Sequence, residues 1–417
     1  MERDVCTYHG SWNDVNRADR RLLTRVAIRN YKSIAACDVR PAPLSFLVGP
    51  NGSGKSNFLD AIRFVADALR GSFGDALLER GGIDEVLHRF GERTADFGIG
   101  LHFRLAGGDR ARYTFMATTT GRGGYAIQRE ECVVDPAGGG SPHFYEVETG
   151  QVVRSSIRYP PVCASDRLFL VPVSNLPEFR PVYDMLTGIE IYHLEVDRLR
   201  EWQRYDPRPR LKRNGSNLAS ILAGMEARAA QRKRVIKEYL AAAVPEVLDF
   251  ESREMGPRLT VEFLQGAGSS KLSERFLASD MSDGILRMLG VLVALFHDDG
   301  QHATAPTLIG IEEPETGLHP EAAAMLVDAL GEASERVQVM VSSHSADLLD
   351  EKAVHHDSIL AAGFRQGRTN IGPLGAAMRS VIRDRVSTAG ELLRIGYTTP
   401  DPELSVPDED HPFRNRD

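Results

Sequence analysis

Residues 49–56 read Gly-Pro-Asn-Gly-Ser-Gly-Lys-Ser, between the apolar run Leu44–Val48 and the helix-forming stretch Asn57-Phe58-Leu59-Asp60-Ala61-Ile62. This is the glycine-rich phosphate loop GxxxxGK[ST], in the strand–loop–helix setting that its mechanism requires. Gly49, Gly52 and Gly54 let the backbone turn tightly and bring its N–H groups against phosphates. Lys55 supplies a point charge to the β- and γ-phosphates, and the Ser56 hydroxyl is placed to ligate Mg²⁺. Phe58, Ile62, Val65 and Leu69 recur at helical spacing, so one face of the following helix is core. The N-terminus of that helix directs about half a positive charge at the phosphates. The sequence therefore predicts a site for a nucleoside triphosphate, ATP with Mg²⁺, lined by Asn51, Gly52, Ser53, Gly54, Lys55, Ser56 and Asn57.

Three later stretches complete the expected site. Thr307-Leu308-Ile309-Gly310-Ile311-Glu312-Glu313 is a buried-strand run closed by two acidic residues. In phosphate-loop ATPases such acids face the metal and the attacking water, which assigns Glu312 to Mg²⁺ and Glu313 to polarising the water. Pro314-Glu315-Thr316-Gly317-Leu318-His319-Pro320 follows at once, and then an amphipathic helix. Val337–Val341 is a second β-branched run, ending in Ser342-Ser343-His344-Ser345, from which His344 can reach the γ-phosphate and hold water. Upstream, Ser279-Asp280-Met281-Ser282-Asp283-Gly284 opens a helix whose apolar positions are Ile285, Met288, Leu289, Leu292 and Phe296. Ser282 can cap that helix, and the same hydroxyl, free amides and dipole form an anion site.

The 417 residues exceed one ordinary core, which implies a large lobe with an inserted or appended subdomain. A net charge of −8 argues against a wholesale nucleic-acid coat while leaving room for a local basic groove. Cys6, Cys37, Cys132 and Cys163 are scattered, without metal-ligand spacing or a disulfide framework, and suit a reducing cytosol. No apolar stretch reaches membrane-spanning length and Met1–Arg21 is too polar for a signal peptide, so a cytoplasmic protein is expected, with no membrane partner.

The expected organisation is a polar arm over 1–22 and the first half of the ATPase domain over 23–177. That first half includes a turn-rich antiparallel β subdomain from about 97. A helical, Arg-rich insertion over 178–257 precedes the second half of the ATPase domain, 258–397. The tail, 398–417, with six acidic residues and four prolines, is expected to be disordered.

The set GPNGSGKS, MSDG-helix, IEEPETGLHP and SSHS, in that order, resembles the ABC-class ATPases of the RecF, SMC and OLD type. More closely, it is similar to the stand-alone bacterial "predicted ATPase" branch of that class. The resemblance covers about 23–100 and 210–360. It implies an α/β fold, a P-loop NTPase of ABC type, with a mixed β-sheet flanked by helices. To this it adds an antiparallel β subdomain and an inserted helical subdomain. It also implies that two subunits sandwich two ATP molecules. Ser282, Asp283 and Gly284 would form the signature motif acting on the partner's nucleotide, Glu313 would be the catalytic base and His344 the switch histidine. Asn30 and Lys32 occupy the family's "NF(K/R)S" position near the nucleotide, with Tyr31 in place of Phe. Asn214-Gly215-Ser216-Asn217-Leu218 matches a "DGSNL"-like stretch of unassigned role.

The sequence also departs from the family. Glu312 stands where many relatives have Asp. Glu79–Arg89, where a Q-loop glutamine is sought, contains none, and no stretch is long enough for an extended coiled-coil arm. No repeated acidic pattern of a Toprim nuclease domain follows the His motif.

Two purposes fit this ATPase. One is an ATP-dependent machine acting on DNA in repair or anti-phage defence, for which Arg198–Arg213, with Trp202 and Tyr205 interleaved, and the run Arg228–Lys237 are the candidate contacts. The other is an ATP-gated scaffold that holds and releases a separately encoded nuclease, toxin or other effector. In either case a homodimer or higher homo-oligomer is implied. A membrane-transporter ATPase fits less well, since nothing suggests a docking surface for a membrane partner.

Overall fold

The computed structural model describes residues 20–90, 94–207, 210–266, 272–297, 305–351, 353–401 and 412–413. Its centre is a six-stranded sheet ordered Arg368–Pro373, Ile359–Arg365, Leu44–Val48, Gln338–Ser343, Leu308–Glu312, Ile189–Tyr192. The five strands from Ile359 to Tyr192 in that order run parallel, and the first is an antiparallel edge. The parallel strands are continuous apolar runs because both faces are covered. Alternate residues feed two cores: Leu47, Leu308 and Met340 face the phosphate-loop helix Lys55–Arg70, while Phe46, Val48, Ile309, Ile311, Val339 and Val341 pack with the helices Asp283–Phe296 and Pro320–Ser334.

Ser282 caps the helix Asp283–Phe296, as its sequence predicts, by accepting a hydrogen bond from the Ile285 N–H. In the parallel register Glu312 pairs with Ser342, and Ser343 with Val48. The strand ends that carry the acids, the histidine motif and the phosphate loop therefore share one edge of the sheet. Ligands of open parallel sheets bind outside the carboxyl ends of the strands.

The expected antiparallel β subdomain is a seven-stranded sheet, and it reaches further back in the chain than its turn-rich segment. Its order is Ile34–Val39, Leu22–Tyr31, Asp96–Arg104, Arg110–Gly121, Gly124–Asp135, His143–Glu148, Gln151–Ser155. The two strands before the phosphate loop thus belong here. Phe97, Phe115 and Tyr31 of this sheet meet Phe64 of the phosphate-loop helix in edge-on or tilted ring contacts, which fix that helix between the two sheets.

The span expected as a helical insertion is mixed. It contains the strand Ile189–Tyr192 of the central sheet and the helices Val196–Arg200, Leu218–Arg228 and Ala230–Ala243. Its last residues begin a small antiparallel sheet built from Gln203–Arg204, Arg258–Gly266, Val247–Met255 and Ser273–Leu277.

The tail expected to be disordered is partly packed. Asp401 is buried, donates its N–H to the Pro373 carbonyl at 2.8 Å, and pairs with Arg379 at 3.3 Å. Phe413 is buried over Gly98, where a Cβ would lie 2.6 Å from its ring, and its carbonyl accepts from Arg29 at 3.0 Å. The rest of the tail, 402–411 and 414–417, and most of the expected N-terminal arm, 1–19, lie outside the described residues.

Candidate functional site

The phosphate loop has the predicted form. Gly52 and Gly54 take left-handed φ values of 76° and 98°. Gly54 also permits a close approach: a Cβ there would lie 2.2 Å from the Thr369 hydroxyl. Thr369, on the edge strand Arg368–Pro373, bonds Ser33 at 2.7 Å, and Ser33 accepts from Asn57 at 2.7 Å. The floor of the loop is thus made by residues from both sheets. Lys55 is buried and donates to the Gly49 and Pro50 carbonyls at 2.7 and 3.1 Å. Burial lowers its pKa, and the charges of Glu313 and Glu315 oppose that shift. Ser53 is buried with its hydroxyl unpartnered among the described residues, whereas Asn51, Gly52 and Ser56 are exposed. This is a cradle of open N–H and hydroxyl groups at a helix N-terminus, which fits a phosphate chain.

Asn30 and Lys32 are engaged elsewhere. Lys32 pairs with Asp60 at 2.6 Å and Asn30 donates to Asp96 at 3.1 Å, both from left-handed backbone. Asp60 also receives Arg63, Arg80 and the Tyr31 hydroxyl. Burial opposes its ionisation, but Arg80 and Lys32 outweigh that and hold the carboxyl well below the usual range. The Asn30–Lys32 element therefore braces the helix behind the loop. Its neighbour Ser33 is the residue that reaches the loop itself.

At the end of the acidic strand, Glu312 is buried and Glu313 is half-exposed. Arg213 bonds Glu312 at 2.9 Å, and His193 Nδ1 lies 3.7 Å from its other oxygen. Burial pushes the Glu312 carboxyl up, but His193, Ser56 and Arg213 together hold it below its ordinary value. Contact with Glu312 in turn raises the His193 pKa.

Glu313 sits in left-handed backbone, φ 46°, with its N–H bonded to the Ser342 carbonyl at 2.9 Å. Its Oε1 is 3.3 Å from His344 Nδ1, so the two residues assigned to the attacking water are side by side. One carboxylate and one hydroxyl, Glu312 and Ser56, are hard oxygen donors of the kind that hold Mg²⁺ jointly with nucleotide phosphates. Among the described residues no cluster of three His, Cys, Asp or Glu forms a metal cage of its own.

The signature residues open the helix Asp283–Phe296, beside the turn that follows the acidic strand. Ser282 and Asp283 are exposed; their side chains bond the Ile285 N–H and Arg200, and among the described residues neither bonds the phosphate loop. Arg200 holds both Asp283 and the Met281 carbonyl, at 2.6 and 3.0 Å, and Gly284 lies against the Gly317 carbonyl.

Arg200 and Arg213 belong to the basic stretch expected to face nucleic acid, and most of that stretch is paired within the chain. Arg198 meets Glu195 and Glu201, Arg210 meets Glu190, and Lys212 meets Asp206. In the second run Lys233, Arg234 and Lys237 pair with Glu226, Glu238 and Asp249. Of these two runs, the candidate nucleic-acid contacts, Arg208 and the Arg228 side chain lie outside the description. The Asn214–Leu218 motif turns this segment: buried Asn217 bonds the Lys212 N–H and the Arg210 carbonyl, which presents Arg213 to Glu312.

Sequence reasoning missed His193, Arg213, Ser33 and Thr369. His193 carried a signal, because it follows a buried strand just as His344 does. The expected Q-loop stretch 79–89 instead supplies Arg80 to Asp60 and Asp67. Among the described residues no helix is long and apolar enough to cross a membrane.

The family described as "AAA domain, putative AbiEii toxin, Type IV TA system" matches residues 44–131 and 188–350. Structural maintenance of chromosomes protein 4 of Caenorhabditis elegans is 32% identical over 93 residues, 21% of this chain and 6% of that protein. The DNA replication and repair protein RecF of Vibrio vulnificus (strain YJ016) is 42% identical over 59 residues, 14% of this chain and 16% of RecF. RecF of Erwinia tasmaniensis is 34% identical over 94 residues, 22% and 26% of the respective chains. The chain thus matches about a quarter or less of each relative's length. The SMC head solved in complex with the C-winged helix domain of ScpA shares the fold, with a TM-score of 0.50 at 15% identity over 86% of this chain and 99% of that one. Since the family match alone spans more than half of the residues and includes the phosphate loop, the acidic strand and the histidine motif, the chain belongs to this AAA-domain family and is an ABC-type P-loop ATPase of the SMC and RecF class.

Proposed function

We propose that the protein binds and hydrolyses Mg-ATP at composite sites between two subunits, and that closure of the dimer is its output. One observation carries this reading. Glu313, His344, Lys55, Ser56 and Glu312 converge at one sheet edge, while Ser282–Gly284, the only other anion-binding helix start assigned from sequence, makes no hydrogen bond or ion pair to the phosphate loop among the described residues. A second copy would bring it there.

Asn51–Asn57 would hold the phosphates, with Lys55 as the charged contact and the exposed amides as donors. Glu312 and Ser56 would hold Mg²⁺, which when bound neutralises charge on the phosphate oxygens. Glu313 would accept the proton of the attacking water, and His344 would orient that water against the γ-phosphate. Catalysis would be mainly positioning and charge stabilisation. ATP would favour the closed dimer through its higher affinity for that state.

The decisive experiment is the solution mass of the Glu313→Gln protein by light scattering, with and without Mg-ATP, alongside phosphate release by the wild type. A rise to dimer mass with ATP, prevented by Ser282→Arg, is expected. A monomer under both conditions would overturn the composite site. A dimer that forms without ATP and survives Ser282→Arg would favour a constitutive assembly.

For purpose, the RecF and SMC relatives are named for DNA replication, repair and chromosome maintenance, which supports a role in DNA transactions. A second reading has its own support. Both basic runs are largely ion-paired within the chain, and the family is described as a putative toxin system. This favours an ATP-gated scaffold that holds and releases a separately encoded effector. Salt-dependent DNA binding that is lost on charge reversal at Arg204, which is exposed, would favour the first reading.

A further inference from the structure

Glu315 is the third acidic residue of the site, and it bonds neither the phosphate loop nor Glu312 and Glu313 among the described residues. It lies in the turn after the acidic strand, two residues past Glu313, and is 8% exposed. Its Oε1 accepts from the Ser343 hydroxyl at 2.5 Å and from the His344 N–H at 3.3 Å. Ser343, itself fully buried, accepts from the Ser345 N–H at 3.0 Å, and Ser345 caps the short helix Ala346–Leu349. One carboxylate oxygen thus organises the whole Ser343–Ser345 turn. The other, Oε2, is buried with no hydrogen-bond partner among the described residues.

A buried carboxylate with an unmet acceptor is costly, and a hydroxyl or an apolar side chain would fill this turn at lower cost. The positive charges of Lys55 and Arg287 act on Glu315 and offset part of that cost. What the carboxylate provides is local order. The His344 and Glu313 side chains are each about two-fifths exposed, 42% and 38%, so burial does not fix either of them. The His344 ring is aimed by its backbone, and that backbone is bonded to Glu315.

We propose that Glu315 is a positioning residue for hydrolysis: through its hydrogen bonds to Ser343 and the His344 N–H it holds the His344 imidazole against Glu313. This rests on the ATPase reading above and deepens it. Glu315 touches neither water nor phosphate in this role, and it acts through His344.

The test uses the full chain as wild type, Glu315→Ala, Glu315→Gln, His344→Ala and the Glu315→Ala/His344→Ala double variant. Three quantities are read: amide hydrogen exchange over 343–345, affinity for a fluorescent ATP analogue, and kcat. Glu315→Ala should speed exchange of the His344 amide about tenfold or more, because its acceptor is gone. It should lower kcat roughly 10²-fold through misplacement, with nucleotide affinity held within about threefold. Glu315→Gln keeps an acceptor oxygen and should restore both the protection and most of kcat. The double variant should turn over no more slowly than His344→Ala alone, since residues acting as a unit are non-additive.

Multiplicative losses in the double variant would overturn the proposal, as would wild-type kcat in Glu315→Ala. A Gln variant as impaired as the Ala variant would overturn it in favour of a role for the charge. If Glu315→Ala does not fold, Ser343→Ala removes the shorter of the same bonds and should reproduce the exchange and kcat changes; wild-type behaviour there would overturn the proposal. Absence of turnover in the wild type would sink the ATPase reading instead, and the exchange rates would then decide the positioning claim alone.

Discussion

Glu130 in the seven-stranded sheet and Glu312 at the end of the acidic strand are both buried carboxylates, and their surroundings differ in kind. Glu130 is fully buried and accepts four hydrogen bonds, from the Tyr113 and Tyr145 hydroxyls and from the Phe169 and Leu170 N–H groups. All four donors are neutral. Burial still pushes its pKa up to about 6, because these bonds offset only part of the desolvation. Glu312 is also buried, but Arg213 and His193 bring positive charge to it, and its carboxyl is held below its ordinary value. Neutral donors satisfy geometry, whereas cations secure ionisation. Glu130 accordingly serves as a clip that pins the segment Phe169–Leu170 to the sheet. Glu312 is instead held toward its charged form by Arg213 and His193.

The largest expected effect on this contrast comes from deleting each carboxylate in nucleotide-free protein. Glu130→Ala leaves two hydroxyls and two amides unpaired in the core and should cost about 3–5 kcal/mol in urea unfolding. Glu312→Ala should cost about 1 kcal/mol or less, because the Arg213 and His193 side chains are 43% and 54% exposed and rehydrate. Equal losses would break the distinction between clip and charged site.

The next effect is pH-dependent. Glu130 binds its proton more readily folded than unfolded, at about 6 against an ordinary 4.5. Its contribution of about 2 kcal/mol is therefore complete below pH 4.5 and lost as pH rises through 6. Glu130→Gln should abolish that slope in urea titrations between pH 4.5 and 7. Glu312, with its depressed pKa, contributes with the opposite sign: its stabilisation is present above pH 4.5 and lost as pH falls further.

A smaller change tests the functional side. Glu312→Ala should weaken nucleotide affinity about tenfold in Mg²⁺ and barely change it in EDTA, measured with a fluorescent ATP analogue. Glu130→Gln should leave both values alone. The smallest comparison sets one neutral donor against one cation. Tyr113→Phe should cost about 1 kcal/mol and Arg213→Ala less, in urea unfolding, although only the second removes a full charge. The reverse order would mean that the Glu312 pair is desolvated far more than its exposure indicates.

The parts of the site that were legible in the sequence are contiguous motifs whose mechanism dictates residue type. The phosphate loop, the Glu312–Glu313 pair, His344 and the capped helix after Ser282 all fall in this class. The parts that were not legible arise where distant strands meet. Arg213 and Glu312 are 99 residues apart, and Ser33 and Thr369 are 336 apart. Nothing local marks such partners.

Charge composition likewise shows the arginines without their distant partners. Arg200, Arg210 and Arg213 meet carboxylates distant in sequence, whereas Arg198 pairs with its neighbours Glu195 and Glu201. The packing of Phe413 was not legible, because averaged composition hides one aromatic residue that a glycine on a distant strand admits. The two strands before the phosphate loop were legible as strands, but their sheet was not, since pairing is a tertiary choice.

The left-handed backbone at Glu313 has a practical consequence for protein engineering. A side chain in that region costs about 1–2 kcal/mol, and glycine avoids the penalty. A stability screen of this protein would therefore favour glycine at position 313, with the turn intact and the carboxylate gone. Thermostability and turnover would move in opposite directions at that position, and any library selected by heat alone should hold residue 313 fixed.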